Sequence, residues 1–110
     1  MSEVIAIHPG PSGLTEDKDE AKQLRIEKLL PAIERGDEVV LDFAGVGYAT
    51  QSYIHALIGE ALQRYGEKAL RQLEFRNCVS TLRSVIELVV DYSLGGFADK
   101  KLISVAPEVK

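Results

Sequence analysis

With a single cysteine, Cys78, the chain can close no internal disulfide, and that cysteine usage suits a reducing cytosol. Positive charge is scarce: thirteen Lys and Arg stand against seventeen Asp and Glu, a net charge of −4. A nucleic-acid binder needs a basic face to displace phosphate counterions, and here no Lys/Arg cluster is interleaved with aromatics. Long apolar runs are also missing. None approaches the roughly 20 residues that span a bilayer, and MSEVIAIHPG lacks the basic start and apolar core of a signal peptide. The chain has 110 residues, 45% of them hydrophobic. These features together predict one acidic, cytoplasmic domain over 1–110, with its core over about 3–105 and a frayed tail over 106–110.

Chemistry-bearing patterns are equally sparse. His8, His55 and Cys78 have no metal-ligand spacing, so no metal site is expected. No nucleophile elbow occurs. Gly45-x-Gly47 lacks the remaining glycine or lysine of a phosphate-binding loop, and Gly10-Pro11-Ser12-Gly13 reads as a turn. Cys78 beside Asn77 reads as a small buried hydrophobe. The expectation is a protein with no cofactor and no catalytic site.

The informative stretch runs from Glu38 to Gly66. Val39-Val40-Leu41-Asp42-Phe43 is a strand signal whose apolar residues do not alternate with polar ones, as in a strand buried within a parallel sheet. A loop with Gly45 and Gly47 follows. Ile54, Leu57, Ile58, Ala61, Leu62 and Tyr65 then recur at i, i+3, i+4, i+7, i+8 and i+11, one stripe of an amphipathic helix. Thr50 and Ser52 put hydroxyls at the start of that helix, a junction where function often sits in an open parallel sheet.

The remaining elements alternate. Glu3 to Ile7 reads as a first strand. Thr15 reads as an N-cap, with Glu16 and Asp17 behind it, for a helix reaching about Arg35 with Ile26, Leu29, Leu30 and Ile33 inward. Pro31 should disturb its last turn, and Gly36 should stop it. Leu70 to Phe75 reads as a third strand. Asn77 or Ser80 caps a third helix that ends before Gly95-Gly96, and Leu102-Ile103-Ser104-Val105 reads as a short edge strand. The third helix is apolar over more than one stripe and needs cover on a second side, from the tail or from another chain. The order is β-α-β-α-β-α: a single small α/β domain, mostly parallel sheet covered by helices.

Val40-Leu41-Asp42-Phe43-Ala44-Gly45-Val46, followed by Ser52 at a helix start and by Tyr65-Gly66, resembles the STAS-like family of short bacterial proteins, a domain of unknown function (DUF4325). Glu20-Ala21-Lys22 fits the same pattern, and the resemblance covers roughly Asp17 to Val90. More distantly, the segment is similar to the STAS domains of anti-sigma factor antagonists, with their LDLSxLxxxDSSGL-type motif. That resemblance implies a module without catalysis of its own. It would dock on a histidine-kinase-like ATPase and be released when a serine at the helix start is phosphorylated. Aligned at Leu41-Asp42, the Asp-Ser-Ser-Gly run falls on Thr50-Gln51-Ser52-Tyr53, so Gln51 stands at the phosphoacceptor position and Thr50 and Ser52 flank it.

Two readings of the hydroxyls stay open. Each can cap orphan amides, and each can carry a phosphate where free N–H groups favour anions. Asp42 stands where a receiver domain keeps its phosphoaccepting aspartate, but Ile7-His8-Pro9 replaces the paired acids such a site needs. Asp42 is instead expected to organise the loop by accepting from the amides around Gly45 and Gly47. The candidate partner-binding residues are Gly45, Gly47, Tyr48, Thr50, Gln51, Ser52 and Tyr53, with the two tyrosines as exposed anchors. The alternative is a homo-oligomeric scaffold or small-ligand-binding domain that pairs through the third helix around Leu88 and Tyr92.

Overall fold

The computed structural model describes residues 2–94. The expected Gly95-Gly96 stop, the strand at Leu102-Ile103-Ser104-Val105 and the frayed end from Pro107 lie outside the described residues. Three parallel strands form the main sheet: β1 (Ser2–Ala6), β3 (Glu38–Asp42) and β5 (Leu73–Arg76), with β3 in the centre. The register sets Ile5 and Phe75 on either side of Leu41, all on one face. Val39 and Leu41 are fully buried there among helix residues. The opposite face carries Val4, 58% exposed, with exposed Ala6, Glu74 and Arg76 around the central Val40, 7% exposed. No helix among the described residues covers it, so the described residues form two layers, helices on one face of a parallel sheet.

The first crossover helix is built from α1 (Lys18–Leu24), a π-helical turn (Arg25–Leu29) and α2 (Leu30–Arg35). Its cap is Asp17, whose Oδ1 accepts from the Asp19 and Glu20 amides at 3.0 and 3.2 Å. Thr15 does not cap it. That residue belongs to the two-residue strand β2 (Leu14–Thr15), which pairs in parallel with β4 (Tyr48–Ala49), and its hydroxyl donates to the His8 carbonyl at 3.0 Å. Gly36 stops the helix at φ 84°, as its lack of a Cβ allows.

The disturbance expected in the last turn lies one turn earlier. Pro31 has no N–H to give and its ring crowds the carbonyl four residues back. The wide turn just before it carries that conflict, with the Leu30 amide donating to the Arg25 carbonyl five residues back. One residue is thereby inserted into the helical repeat. Upstream of the turn, Ala21, Leu24 and Arg25 face inward and Ile26 is 52% exposed, contrary to the straight periodicity.

The second crossover repeats the device: α3 (Gln51–Ile54), a π-helical turn (His55–Gly59) and α4 (Glu60–Tyr65). Its buried residues stand in two strides of four, Tyr53, Leu57, Ala61 and Ile54, Ile58, Leu62. Eight residues exceed two ordinary turns by about 0.8 residue, and the wide turn takes up the excess. Arg25 joins the two helices where both widen: Nη1 donates to the Ala56 carbonyl at 2.8 Å, and Nη2 lies 3.2 Å from Glu60 Oε1.

The third strand starts later than the sequence suggests. Glu67-Lys68-Ala69-Leu70-Arg71-Gln72 are all good helix formers and make the short helix α5 (Glu67–Gln72), which buries Ala69. Gln72 Nε2 then donates to the Asp37 carbonyl at 2.8 Å, tying the start of β5 to the turn before β3. The last helix, α6 (Ser80–Ser93), is preceded by Val79 and has no side-chain cap, so neither Asn77 nor Ser80 serves as one. It buries Leu82, Ile86 and Val89. Its start is held to the β3–β4 loop by the Thr81 hydroxyl, which donates to the Gly47 carbonyl at 3.2 Å.

Candidate functional site

Three loops meet at the carboxyl ends of the parallel strands: residues 7–13 after β1, 43–47 after β3 and 77–79 after β5. Asp42 ties the last two together. Its Oδ1 accepts from the Ala44 amide at 3.0 Å and from Asn77 Nδ2 at 2.8 Å. The amide it reaches is therefore Ala44's and not those of Gly45 or Gly47. Asn77 sits at φ 62°, in the left-handed region that Asn tolerates better than most residues. The Asn77 amide, the Ala44 amide and the Arg76 guanidinium hold the Asp42 carboxyl below its ordinary range, although the group is open to solvent. Its contact to Asn77 thus favours the ionised form. It contributes to the loop above the carboxylate range and is lost as the pH falls through it.

The first loop supports the second from the other side. Gly47 N–H donates to the Gly13 carbonyl at 2.8 Å and Thr50 N–H to the Thr15 carbonyl at 3.1 Å, extending the β2–β4 ladder at both ends. The segment Gly10-Pro11-Ser12-Gly13, expected to be only a turn, is the piece that lays β2 against β4. Gly13 at φ 79° meets the Gly47 backbone so closely that a Cβ there would lie 3.2 Å from the Gly47 nitrogen.

On this support the candidate residues separate into two sets. Gly45, Gly47, Tyr48, Gln51 and Ser52 are exposed. Thr50 is half-buried and caps the helix, its Oγ1 accepting from the Tyr53 amide at 3.1 Å. Tyr53 is fully buried, which removes it from any docking face. The signal was available: Tyr53, Leu57 and Ala61 stand at i, i+4 and i+8, so the tyrosine heads the inward stripe. Its hydroxyl has no hydrogen-bond partner among the described residues. Burial, reinforced by the Glu20 and Asp17 carboxylates, pushes its ionisation far up. Tyr53→Phe should therefore raise stability by about 1 kcal/mol, since it removes a buried polar group without breaking a bond. Urea unfolding checks this, and a loss of stability would show that the hydroxyl has a partner after all.

Ser52 lies in a shallow open recess of 430 Å³ with Lys18, Gln51, His55 and Ala56. Lys18 comes from the start of α1 and His55 from one turn further along the helix of Ser52, so two elements contribute a basic residue to the lining of the recess. Sequence reasoning missed both, because Lys18 is brought there only by the packing of the two crossover helices. Cys78 is partly buried, and that burial pushes its thiol up. His8 is exposed and lies 3.6 Å from Glu20. Among the described residues no group of three His, Cys, Asp or Glu side chains is placed to hold a metal ion, and no helix is long and apolar enough to cross a membrane.

A family model described as a STAS-like domain of unknown function (DUF4325) matches residues 20–83. The match takes in Asp42, the glycine loop, the helix start and Asn77, and leaves out β1 and β2. No curated protein and no solved structure matches the chain.

Proposed function

Because the chain belongs to this STAS-like family, we propose that it is a non-catalytic, cytoplasmic docking module whose face is the loop Ala44–Thr50 with Gln51 and Ser52. The observation that carries the reading is the division of labour at the helix start. Thr50 spends its hydroxyl on the cap, while Ser52 is left exposed in a recess that Lys18 and His55 also line. The surrounding loop is braced from below by Asp42 and Asn77 and from the side by β2, so a partner meets a shaped surface and loses little entropy in ordering it. Tyr48, 44% exposed, is the aromatic anchor on that rim. The partner class that the wider resemblance suggests is a histidine-kinase-like ATPase. A phosphate on Ser52 would add roughly −1.5 to −2 charge to the face and release that partner.

Ser52→Asp separates docking from capping, because the two roles give opposite signs. A negative charge in the first turn of a helix should leave folding unchanged or stabilise it by a few tenths of a kcal/mol. Docking, by contrast, should weaken by about tenfold or more, equivalent to about 1.4 kcal/mol. The partner is recovered from lysate of the source cells with ATP present and identified by mass spectrometry, and its affinity for both forms is then titrated. Parallel losses in binding and in melting temperature would reduce Ser52 to a structural residue.

A second reading keeps one observation of its own. Leu88 and Tyr92, one turn apart on α6, are 54% and 62% exposed. A dimer paired through them would make the chain a scaffold, and sedimentation of the wild type beside Leu88→Glu distinguishes that case.

A further inference from the structure

Gly47 joins the loop after β3 to Tyr48, and both polar groups of its backbone are held from outside that loop. Its N–H donates to the Gly13 carbonyl at 2.8 Å, on the β2 side. Its C=O accepts from the Thr81 hydroxyl at 3.2 Å, on the α6 side. A glycine has no Cβ to restrict its torsions, so these two bonds decide which way the peptide between Gly47 and Tyr48 faces. That planar unit contains the Tyr48 nitrogen and Cα. Its direction therefore aims the tyrosine.

The start of α6 presents that hydroxyl in a fixed direction. Val79 precedes the helix without a side-chain cap, and the Arg83 amide closes the first turn on the Val79 carbonyl at 2.9 Å. Thr81, in the same turn, gives its hydroxyl to the loop. Leu82 beside it is fully buried, which fixes the rotation of the helix. The branched Cβ of a threonine leaves its side chain few rotamers. Asn77 grips the other end of the loop, with Nδ2 donating to Asp42 Oδ1 at 2.8 Å. The connection from Asn77 to Thr81 thus spans the loop and holds it at Asp42 and at Gly47.

Tyr48 stands 44% exposed on β4, opposite Leu14. We propose that Thr81 is a positioning residue for docking: through the Gly47 carbonyl it aims Tyr48, although it is not one of the residues of the face. The use of that aim depends on the docking role proposed for the face, while the aiming itself does not.

Thr81→Val keeps the shape of the side chain and removes the hydroxyl, while Thr81→Ser keeps the hydroxyl. Water satisfies the exposed carbonyl in the valine variant, so melting should change little and the direction alone is lost. Amide exchange on the full chain, followed by NMR with no partner present, reads the aim directly. The Gly47 amide should exchange about fivefold faster in Thr81→Val. Thr81→Ser should restore the native rate, with the Leu41 amide equally protected in all three forms. Affinity for the partner captured on the native chain should fall about fivefold with Thr81→Val and recover with Thr81→Ser. In a chain that already carries Tyr48→Ala, Thr81→Val should cost no further affinity, because its effect runs through that ring. Unchanged Gly47 exchange in Thr81→Val overturns the proposal, as does failure of the serine to restore it. A further loss of affinity beside Tyr48→Ala overturns it too. A loosened loop with unchanged affinity upholds the aiming of Tyr48 and removes the docking reading instead.

Discussion

Arg25→Met should destabilise the domain by about 2 kcal/mol, even though the methionine keeps most of the arginine's apolar stem. The reason lies in the two wide turns. A π-helical turn moves the backbone bonds to the fifth residue and leaves one carbonyl of the ladder without its usual donor. In the turn His55–Gly59 the Ala56 carbonyl takes its donor from the other helix, the Arg25 guanidinium at 2.8 Å. The same guanidinium reaches Glu60, whose side chain is 40% exposed, so solvent screens that pair and most of the loss comes from the carbonyl. Only 12% of the Arg25 side chain is exposed. Water does not readily replace a donor removed there, and a carbonyl left bare costs more than an ordinary hydrogen bond returns. Arg25→Lys should fall between, since one ammonium cannot serve the carbonyl and Glu60 in the same fork geometry. Urea unfolding of the three forms gives the ranking. A loss below about 0.5 kcal/mol for the methionine variant would mean that water reaches the Ala56 carbonyl.

Arg25 also shows how far the sequence could be read. The apolar run at β3, the glycine loop and the stripe after it were legible because burial on both faces of a strand and on one face of a helix leaves a periodic trace. The wide turns left a subtler one. In the first crossover, straight periodicity puts Ile26 inward, and the inserted residue turns Arg25 inward in its place. In the second, strides of four already exceed an ordinary helix, and they carry Tyr53 into the core. Where a short element competes with a neighbour, pattern alone fails. Gln72, Leu73, Glu74 and Phe75 alternate as a strand should, yet the residues before them follow Gly66 with the composition of a helix and form one. The candidate site was legible as a position, the strand-to-helix junction, because Asp42, Gly45 and Gly47 are local to it. What braces and flanks it was not, since Asn77, Lys18 and the β2 strand arrive from remote parts of the chain and leave no mark in the local pattern.

That remote bracing makes Gly10 the most sensitive position near the site. Gly10 has φ −80°, open to any residue, so its backbone is under no strain. The constraint is space: a Cβ there would lie 2.0 Å from the Leu14 carbonyl oxygen, a backbone atom with no room to swing aside. Gly10→Ala must therefore push β2 away from its seat. Three bonds depend on that seat: Gly47 N–H to Gly13 O, Thr50 N–H to Thr15 O, and the Thr15 hydroxyl to the His8 carbonyl. At about 1 kcal/mol each, the expected loss is about 3 kcal/mol. It should be local in character, because β1, β3 and β5 pair without β2. Exchange of the Gly47 and Thr50 amides should accelerate while the Leu41 amide keeps most of its protection. Gly47→Ala is the matched control, since a Cβ there would come no closer than 3.8 Å to the Gly13 carbonyl, an ordinary contact. If both variants unfold alike, the loop and the sheet form one cooperative unit and the docking face has no independent brace. If only Gly10→Ala loosens the loop, the same variant should also weaken partner binding without touching an exposed residue of the face, which separates the shape of that surface from its chemistry.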